Sequence, residues 1–258
     1  MRSLSDLLRV TADPEKLAEA LASPPPPEEP PQCETCGDAH FVTRAVSHDH
    51  PEFGRAFPCP ACHIPGEDTI VRLAAAAGLP LATRGTHRFE RFRPGPGTAK
   101  ALSYARSFLD GEGGHPFLTL AGLPGTGKTH LALAIGWQQI ETRLASVGYY
   151  QVESLLDELR RGYTNDQAER GTDTYATLQF LRSCQLLILD DLGAEKATEW
   201  STAKLDEIVD YRYINRLPTV FTLNVEPERL APRLVDRLME GQVFVLDAAS
   251  FRRRGRKA

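Results

Sequence analysis

The chain has 258 residues, of which 41% are hydrophobic and 25% are charged, and its formal net charge is −4. This composition is that of a globular protein, and the length allows one domain of ordinary size with a smaller module. The mildly acidic balance excludes a wholly basic nucleic-acid coat, although a local basic groove is allowed. No apolar run is long enough to span a membrane and the N-terminus lacks an apolar signal core, so we expect a cytoplasmic protein without a membrane partner.

The first 32 residues combine helical patterns with a proline-rich run. Leucines at helical spacing predict short amphipathic helices within residues 3–21, which either pack locally or dock a partner protein. The run PPPPEEPP at 24–31 predicts an extended spacer, and a ligand for a proline-binding domain is the alternative. We therefore assign residues 1–32 to N-terminal helices and a linker.

Four of the five cysteines form two C-x-x-C pairs, Cys33 with Cys36 and Cys59 with Cys62. Two such pairs at this separation favour a closed, structural zinc site of four thiolates. A strand pattern lies between them, so we predict a small zinc-ribbon-like module at 33–66, to which the metal supplies folding energy. Neighbouring histidines could replace a cysteine, and reduced cysteines without metal are the remaining alternative.

Residues 67–98 are predicted as a connector, with an alanine-rich helix followed by an aromatic segment. Phe89 and Phe92 in that segment either pack into a core or border a nucleotide base. From residue 99 to 258 we predict one larger domain. After a helix at 98–109, its strand patterns lie at 117–122, 149–152, 186–189, 219–223 and 243–246. Its later helical patterns lie at 128–144, 153–161, 200–215 and 227–239. Such alternation predicts an α/β fold with a five-stranded parallel sheet covered by helices on both faces.

Residues 122–129 read GLPGTGKT, which fits the P-loop pattern between a strand and a helix. The glycines let backbone N–H groups approach phosphate oxygens, and the following helix points its positive dipole end at the same anion. Lys128 adds a charge for the β- and γ-phosphates, and the Thr129 hydroxyl is a ligand for Mg²⁺. The predicted ATP-binding residues are Gly122, Pro124, Gly125, Thr126, Gly127, Lys128, Thr129 and His130.

Polar residues follow the later strand patterns at the edge where the P-loop is expected. Asp190 and Asp191 end an apolar run in a Walker B pattern, so Asp190 is predicted to hold Mg²⁺ and Asp191 to polarise the attacking water. Asn224 ends the next strand pattern beside Asp190, where its amide can orient that water. Arg233 and Arg237 lie one helical turn apart and either pair with local acids or reach the γ-phosphate of a neighbouring subunit.

The combination of GLPGTGKT, LLILDDLG, PTVFTLNV, PRLVDRLME and SFRRR resembles the AAA+ ATPases of the DnaC/DnaI helicase-loader group, with IstB-type transposition ATPases as near relatives. The four-cysteine segment looks like the zinc-binding, helicase-contacting module of DnaI-type loaders. The resemblance implies a ring or spiral oligomer that places a hexameric replicative helicase on single-stranded DNA. The catalytic residues that it implies are Lys128, Asp190, Asp191, Asn224 as sensor 1, Arg237 as an arginine finger acting in trans, and Arg252 as sensor 2.

The sequence also departs from many AAA+ enzymes. Asp191 stands where many of them have glutamate, and related loaders share this aspartate, so we expect slow hydrolysis used as a switch. Neither a full helical lid nor a helix-turn-helix follows the last strand pattern, which predicts little or no lid and disfavours the initiator DnaA. The cations and aromatic ring of Leu159–Tyr163, together with the basic C-terminus, either bind single-stranded DNA or are solvated surface.

Four functions are consistent with these patterns. The first is an ATP-hydrolysing replicative helicase loader, favoured by the zinc module after a linker. The near alternative is an IstB-type accessory ATPase for DNA transposition. A P-loop small-molecule kinase would require a substrate lid and no arginine from a neighbour. A zinc adaptor would bind ATP only as a structural element.

Overall fold

A computed structural model describes residues 31–37, 39, 41–43, 45–48, 53–59, 61–62, 66–109, 115–164, 168–224, 230–248 and 250–251, with the backbone alone at 163–164 and 168–173. The chain divides into two compact units, Met1–Cys62 and His63–Ala258. The predicted N-terminal helices, most of the proline-rich spacer and the C-terminal tail with Arg252 therefore lie outside the described residues. No helix in the described ranges combines the length and apolar character needed to cross a membrane.

The first unit contains a small antiparallel sheet of two strands, β1 (Phe41–Thr43) and β2 (Ala56–Pro58). Isolated two-stranded hairpins are marginally stable in water, so strands this short need another source of stability. One C-x-x-C pair precedes β1 and the other follows β2, and the antiparallel pairing of Phe41 with Pro58 brings the two pairs together. The four-cysteine module expected from the sequence is confirmed.

The second unit is built on a parallel sheet of five strands with the order β4-β5-β6-β3-β7. Its strands are β3 (Phe117–Ala121), β4 (Val147–Gln151), β5 (Leu186–Leu192), β6 (Thr219–Leu223) and β7 (Gln242–Val245). Its α-helices in the described residues are α1 (Glu67–Ala76), α2 (Ala99–Ser107), α3 (Lys128–Arg143), α4 (Val152–Thr164), α5 (Ala168–Ser183), α6 (Glu199–Ile214) and α7 (Pro232–Glu240). Two short 3₁₀ turns lie at Leu81–Thr83 and Phe89–Arg91.

Two hydrophobic cores lie on opposite faces of this sheet, because side chains alternate along a strand. In β5, Leu186 and Ile188 join one core, whereas Leu187 and Leu189 join the other. Helices α1, α2 and α3 cover the first face, and α4 to α7 cover the second. The predicted α/β class, with helices on both faces of a parallel sheet, is confirmed.

Phe89 and Phe92 of the predicted connector belong to the first core and are 6% and 7% exposed. Of the two interpretations weighed for them, core packing therefore holds for both. Phe92 also lines the cavity described below, so its ring serves a second purpose. The connector segment thus packs into the same core as helix α3.

Several predicted elements need correction. Strand β5 runs through both aspartates to Leu192 instead of ending before them, and β4 begins at Val147 rather than Tyr149. Helix α5 was not predicted, because its first two turns carry many polar residues and few apolar ones at helical spacing. Helix α7 begins at Pro232, where a proline suits the first helical position, whereas the sequence predicted a start at residue 227, which lies outside the described residues.

Candidate nucleotide and metal sites

The P-loop lies between β3 and α3, at the edge of the sheet where its parallel strands end. Gly122, Gly125 and Gly127 have φ angles of 138°, 84° and 105°, a region that strains other residues. Space is also restricted, since a Cβ on Gly125 would lie 2.2 Å from the Ser250 hydroxyl oxygen and one on Gly127 would lie 2.6 Å from the Phe92 ring. The loop conformation therefore requires glycine on both grounds at these two positions.

The ammonium group of Lys128 lies within the curve of the P-loop. Lys128 is 4% exposed, and its Nζ donates to the carbonyl oxygens of Gly122 at 2.7 Å and Leu123 at 2.9 Å. The Thr126 hydroxyl donates to the same Leu123 carbonyl at 2.9 Å, which stabilises the turn. A phosphate held by the amides of this loop and by the N-terminus of α3 would meet the Lys128 charge.

Asp190 is a buried carboxylate in β5, two residues before the strand ends, and 2% of its surface is exposed. The Thr129 hydroxyl donates to its two oxygens at 3.0 and 3.3 Å, so the P-loop and the Walker B strand are in direct contact. Tyr149 and Thr222 also donate to this carboxylate. Burial and the Asp190 charge raise the pKa of Tyr149, which keeps its phenol protonated. The oxygens of Thr129 and Asp190 are ligands that Mg²⁺ prefers, so the pair fits that ion.

Asp191 has an unusual backbone conformation that directs its side chain toward the cavity. Its φ is 59°, in the left-handed region, and the register between β5 and β6 shifts between Leu189 and Leu192. Such a bulge re-aims a side chain, and strain of this kind is held in place by its surroundings. The Thr222 hydroxyl accepts the Asp191 N–H at 2.9 Å, and the Asn224 side-chain amide donates to the Asp191 carboxylate. Asn224 therefore contacts Asp191, whereas the sequence predicted a position beside Asp190.

A cavity of about 590 Å³ opens beside these groups. Its lining residues are His87, Arg91, Phe92, Arg93, Pro124, Gly125, Gly127, Lys128, Thr129, His130, Asp191, Asn224 and Phe251. Six of the eight predicted ATP-binding residues are among them, and the other two, Gly122 and Thr126, lie elsewhere in the same loop. A volume of this size is typical of small-molecule and cofactor sites.

Four lining residues were missed by the sequence interpretation, namely His87, Arg91, Arg93 and Phe251. Their only sequence signal is a dense mixture of basic and aromatic residues on either side of the main domain. The His87 and His130 rings lie 5.0 Å apart, and the Phe92 ring meets His130 edge-on at 5.3 Å. Burial and the nearby His130 lower the pKa of His87, so its ring is neutral near pH 7. The lining of the cavity thus combines aromatic rings with residues of the P-loop.

The two arginines of α7 do not line this cavity. Arg237 lies 3.2 Å from Asp210 and 3.1 Å from Glu240, and its guanidinium lies 4.1 Å from the Tyr213 ring centroid. Arg233 pairs with the same Asp210, and its side chain is 65% exposed against 28% for Arg237. Of the local pairs weighed from the sequence, with Asp236 or Glu240, the pair of Arg237 with Glu240 is present, and Asp210 of α6 is a further partner. The role of Arg237 toward a neighbouring subunit stays a prediction, and the sensor 2 prediction for Arg252 lies outside the described residues.

The predicted single-strand site is described only in part. The Arg160 guanidinium lies 5.0 Å from the Trp200 ring centroid and donates to the Thr198 hydroxyl at 3.2 Å. Arg161 is exposed on the next position of α4, and the side chain of Tyr163 is not described. A cation and an aromatic ring thus lie together near the end of α4, and DNA binding by this region stays a prediction.

The sulfur atoms of Cys33, Cys36, Cys59 and Cys62 all lie within 4.8 Å of one another. Cys33 and Cys59 are 3.7 Å apart at sulfur, and Cys36 and Cys62 are 3.4 Å apart. Zinc–sulfur bonds of about 2.3 Å in a tetrahedron place the sulfurs about 3.8 Å apart, so the cluster fits zinc. All five cysteines of the chain are described, and none forms a disulfide.

Hydrogen bonds shift the pKa values of two thiols of this cluster in opposite directions. The backbone N–H of Cys36 lowers the pKa of Cys33 to about 7. The contact with the Cys36 side chain raises the pKa of Cys62. The Cys33 thiol therefore loses its proton more readily than the Cys62 thiol. A cation such as Zn²⁺ would stabilise all four thiolates together.

A family model and several known proteins are similar to this chain. A family model described as IstB-like ATP binding protein matches residues 108–257. The replicative helicase loader DnaC of Escherichia coli (strain K12) is 29% identical over 154 residues, which cover 59% of this chain and 61% of that relative. The match thus spans less than two thirds of the relative's length.

Two solved structures show the same fold. The DnaC helicase loader covers 64% of this chain and 98% of its own, with a TM-score of 0.56 and 23% identity. The structure of DnaI covers 65% of this chain and 92% of its own, with a TM-score of 0.52 and 24% identity. These likenesses confirm the P-loop AAA+ fold expected from the sequence.

Proposed function

The chain belongs to the IstB-like ATP-binding protein family, and we propose that it is an ATP-hydrolysing replicative helicase loader that delivers a hexameric helicase to single-stranded DNA. One observation carries the ATPase part of this proposal. The P-loop, the Thr129–Asp190 pair and the Asp191–Asn224 pair meet at one edge of the sheet, beside one cavity. The choice of a helicase as partner rests on the similarity to DnaC, which is itself a replicative helicase loader.

The residues divide the proposed reaction among themselves. Amides of the P-loop and Lys128 hold the phosphates, and Thr129 with Asp190 holds Mg²⁺. When bound, MgATP supplies the transferable γ-phosphoryl group. Asp191 then polarises a water that Asn224 orients for in-line attack. The rings of His87, His130 and Phe92 also line the cavity and would offer an aromatic surface to the base.

A second subunit completes this site in the proposal. Arg237 lies outside the lining of the cavity in its own chain, and its proposed role is toward the γ-phosphate of a neighbour. Asp210 and Glu240 would hold the Arg237 guanidinium in a fixed direction on α7. A ring or spiral of subunits would then bind each nucleotide between two neighbours, and Arg252 would act as sensor 2.

The proposed domain organisation follows the sequence: helices and linker at 1–32, a zinc module at 33–66, a connector at 67–98 and the ATPase domain at 99–258. We propose that the four thiolates hold a structural zinc ion and that this module contacts the helicase. Arg160 and Trp200 offer a cation and a ring to single-stranded DNA.

Zinc removal gives a direct prediction. Cys59→Ser is expected to lower the zinc content of the purified chain from about one ion per chain to a small fraction of that, because a tetrahedral site loses a ligand. Metal analysis by mass spectrometry measures this. Cys184→Ser is the matched control, since Cys184 is buried in the second unit and contacts Arg212 rather than the cluster. Wild-type protein without zinc, or equal loss in the control, would contradict the assignment.

An accessory ATPase for DNA transposition is the second candidate, and the IstB-like family match itself favours it. Co-purification of the tagged full-length chain with the purified replicative helicase of its host, or with a transposase of the same host, separates the two. The loader proposal predicts that ATP promotes recovery of the helicase and that ADP does not. Recovery of the transposase without the helicase would reject the loader in favour of the accessory ATPase.

A further inference from the structure

The Asp190 carboxylate is held from both sides by hydroxyl groups on the strands that flank β5. Tyr149 on β4 donates to Oδ2 at 2.8 Å, and Thr222 on β6 donates to Oδ1 at 2.6 Å. The third donor, Thr129, belongs to the P-loop and contacts both oxygens at longer distances of 3.0 and 3.3 Å. Each carboxylate oxygen therefore has one dedicated hydroxyl donor outside the P-loop.

The orientation of the Thr222 hydroxyl is fixed by two contacts. Thr222 is fully buried, and its oxygen accepts the Asp191 N–H at 2.9 Å while it donates to Asp190. Because the N–H occupies one side of the oxygen, the hydroxyl proton is directed at the carboxylate. The same side chain thus connects the bulged backbone of β5 to the carboxylate that precedes it.

The Tyr149 ring is fixed by its backbone and its packing. Tyr149 lies on an edge strand, where its N–H donates to the Ala77 carbonyl at 2.7 Å and its Cα pairs with Ile188 of β5. The ring packs against the first hydrophobic core. An edge strand would otherwise leave this N–H to solvent, so the Ala77 contact anchors the residue that carries the hydroxyl.

We propose that Tyr149 and Thr222 are positioning residues that hold the Asp190 carboxylate in the orientation that receives Mg²⁺. The inference rests on the proposed MgATP site. Thr129 would serve as a ligand of Mg²⁺ in that complex, and Tyr149 and Thr222 would keep one donor on each carboxylate oxygen. Hydroxyl groups supply dipoles without net charge, so the full negative charge of Asp190 stays available to the cation, as it would not beside a lysine or arginine.

Tyr149→Phe tests this role through the magnesium dependence of nucleotide binding. The probe is an ATP analogue with a fluorescent group on the ribose, titrated into the full-length chain over a range of Mg²⁺ concentrations and in excess EDTA. We expect the Mg²⁺ concentration for half-maximal binding to rise about tenfold, the size expected for one hydrogen bond to a charged acceptor. Affinity in EDTA should stay within about twofold of wild type, because the P-loop is untouched.

Tyr150→Phe is the matched control, since it removes the hydroxyl of the next residue, whose ring packs against the opposite core. Thr222→Val should raise the Mg²⁺ concentration for half-maximal binding as Tyr149→Phe does. Thr222→Ser keeps the hydroxyl and should show the magnesium dependence of the wild type. An unchanged magnesium dependence in Tyr149→Phe would overturn the inference, and so would an equal loss of affinity with and without Mg²⁺. A helicase that fails to co-purify would reject the loader and leave this result standing.

Discussion

Lys128→Ala is expected to weaken ATP binding at least 100-fold and to abolish every ATP-dependent step. Lys128 is 4% exposed and its ammonium lies within the P-loop curve, so its charge would act on the phosphates with little screening by water. Loss of one or two hydrogen bonds between charged groups lowers binding affinity by a factor of about 10²–10⁴. Titration calorimetry with ATP and Mg²⁺ measures the change.

The control for this variant is Lys100→Ala, an exposed lysine on α2 that does not line the cavity. It should bind ATP like the wild type. If Lys128→Ala bound ATP within a fewfold of the control, the P-loop assignment would be wrong. If it lost ATP but still bound the helicase normally, the nucleotide would be structural and the chain would be an adaptor rather than a switch.

Arg237→Ala is expected to reduce hydrolysis by about 10³-fold while ATP affinity of the separate chain stays unchanged. The guanidinium lies outside the cavity of its own chain, so its removal leaves the local site intact. An arginine that contacts the γ-phosphate bound to a neighbouring subunit raises the turnover rate by a factor of about 10³–10⁵. Phosphate release, measured at protein concentrations where the chain self-associates, reports the loss.

Arg233→Ala serves as the matched control, because Arg233 lies one turn away and shares the partner Asp210. Its hydrolysis should stay within a fewfold of wild type. Mixing Arg237→Ala with Lys128→Ala should restore activity, since random neighbours give about a quarter of interfaces with both groups intact. No recovery on mixing would leave Arg237 with the local ion-pairing role alone.

The parts of the site that one segment encodes could be predicted from the sequence. The P-loop needs glycines, a lysine and a threonine at fixed spacing, and the acids follow an apolar run, so both were found from the sequence. The four-cysteine cluster was also predicted, because each C-x-x-C pair is a short motif within one segment. Parallel strands that end at one edge then bring Asp190, Asp191 and Asn224 together.

The remaining features depend on contacts between distant segments. Asp191 has a left-handed backbone conformation, and Thr222 and Asn224 hydrogen-bond to it from β6 and the residue after it. The sequence pattern of β5 alone does not predict this conformation. The hydroxyl of Tyr149 reaches Asp190 only because β4 and β5 are neighbours. Arg237 was ambiguous because a single sequence does not encode which of two partners, a local acid or a neighbouring chain, binds it more strongly.

The most direct test of the central claim is the transfer of the replicative helicase onto closed circular single-stranded DNA. A circle has no end to thread, so a hexameric ring must open to encircle it. We predict that the full-length chain with ATP places helicase on the circle in a form that withstands a high-salt wash, which removes electrostatic contacts. We predict no such transfer with Lys128→Ala. Helicase that is equally salt-resistant on the circle without this protein, or never found there with it, would contradict the account.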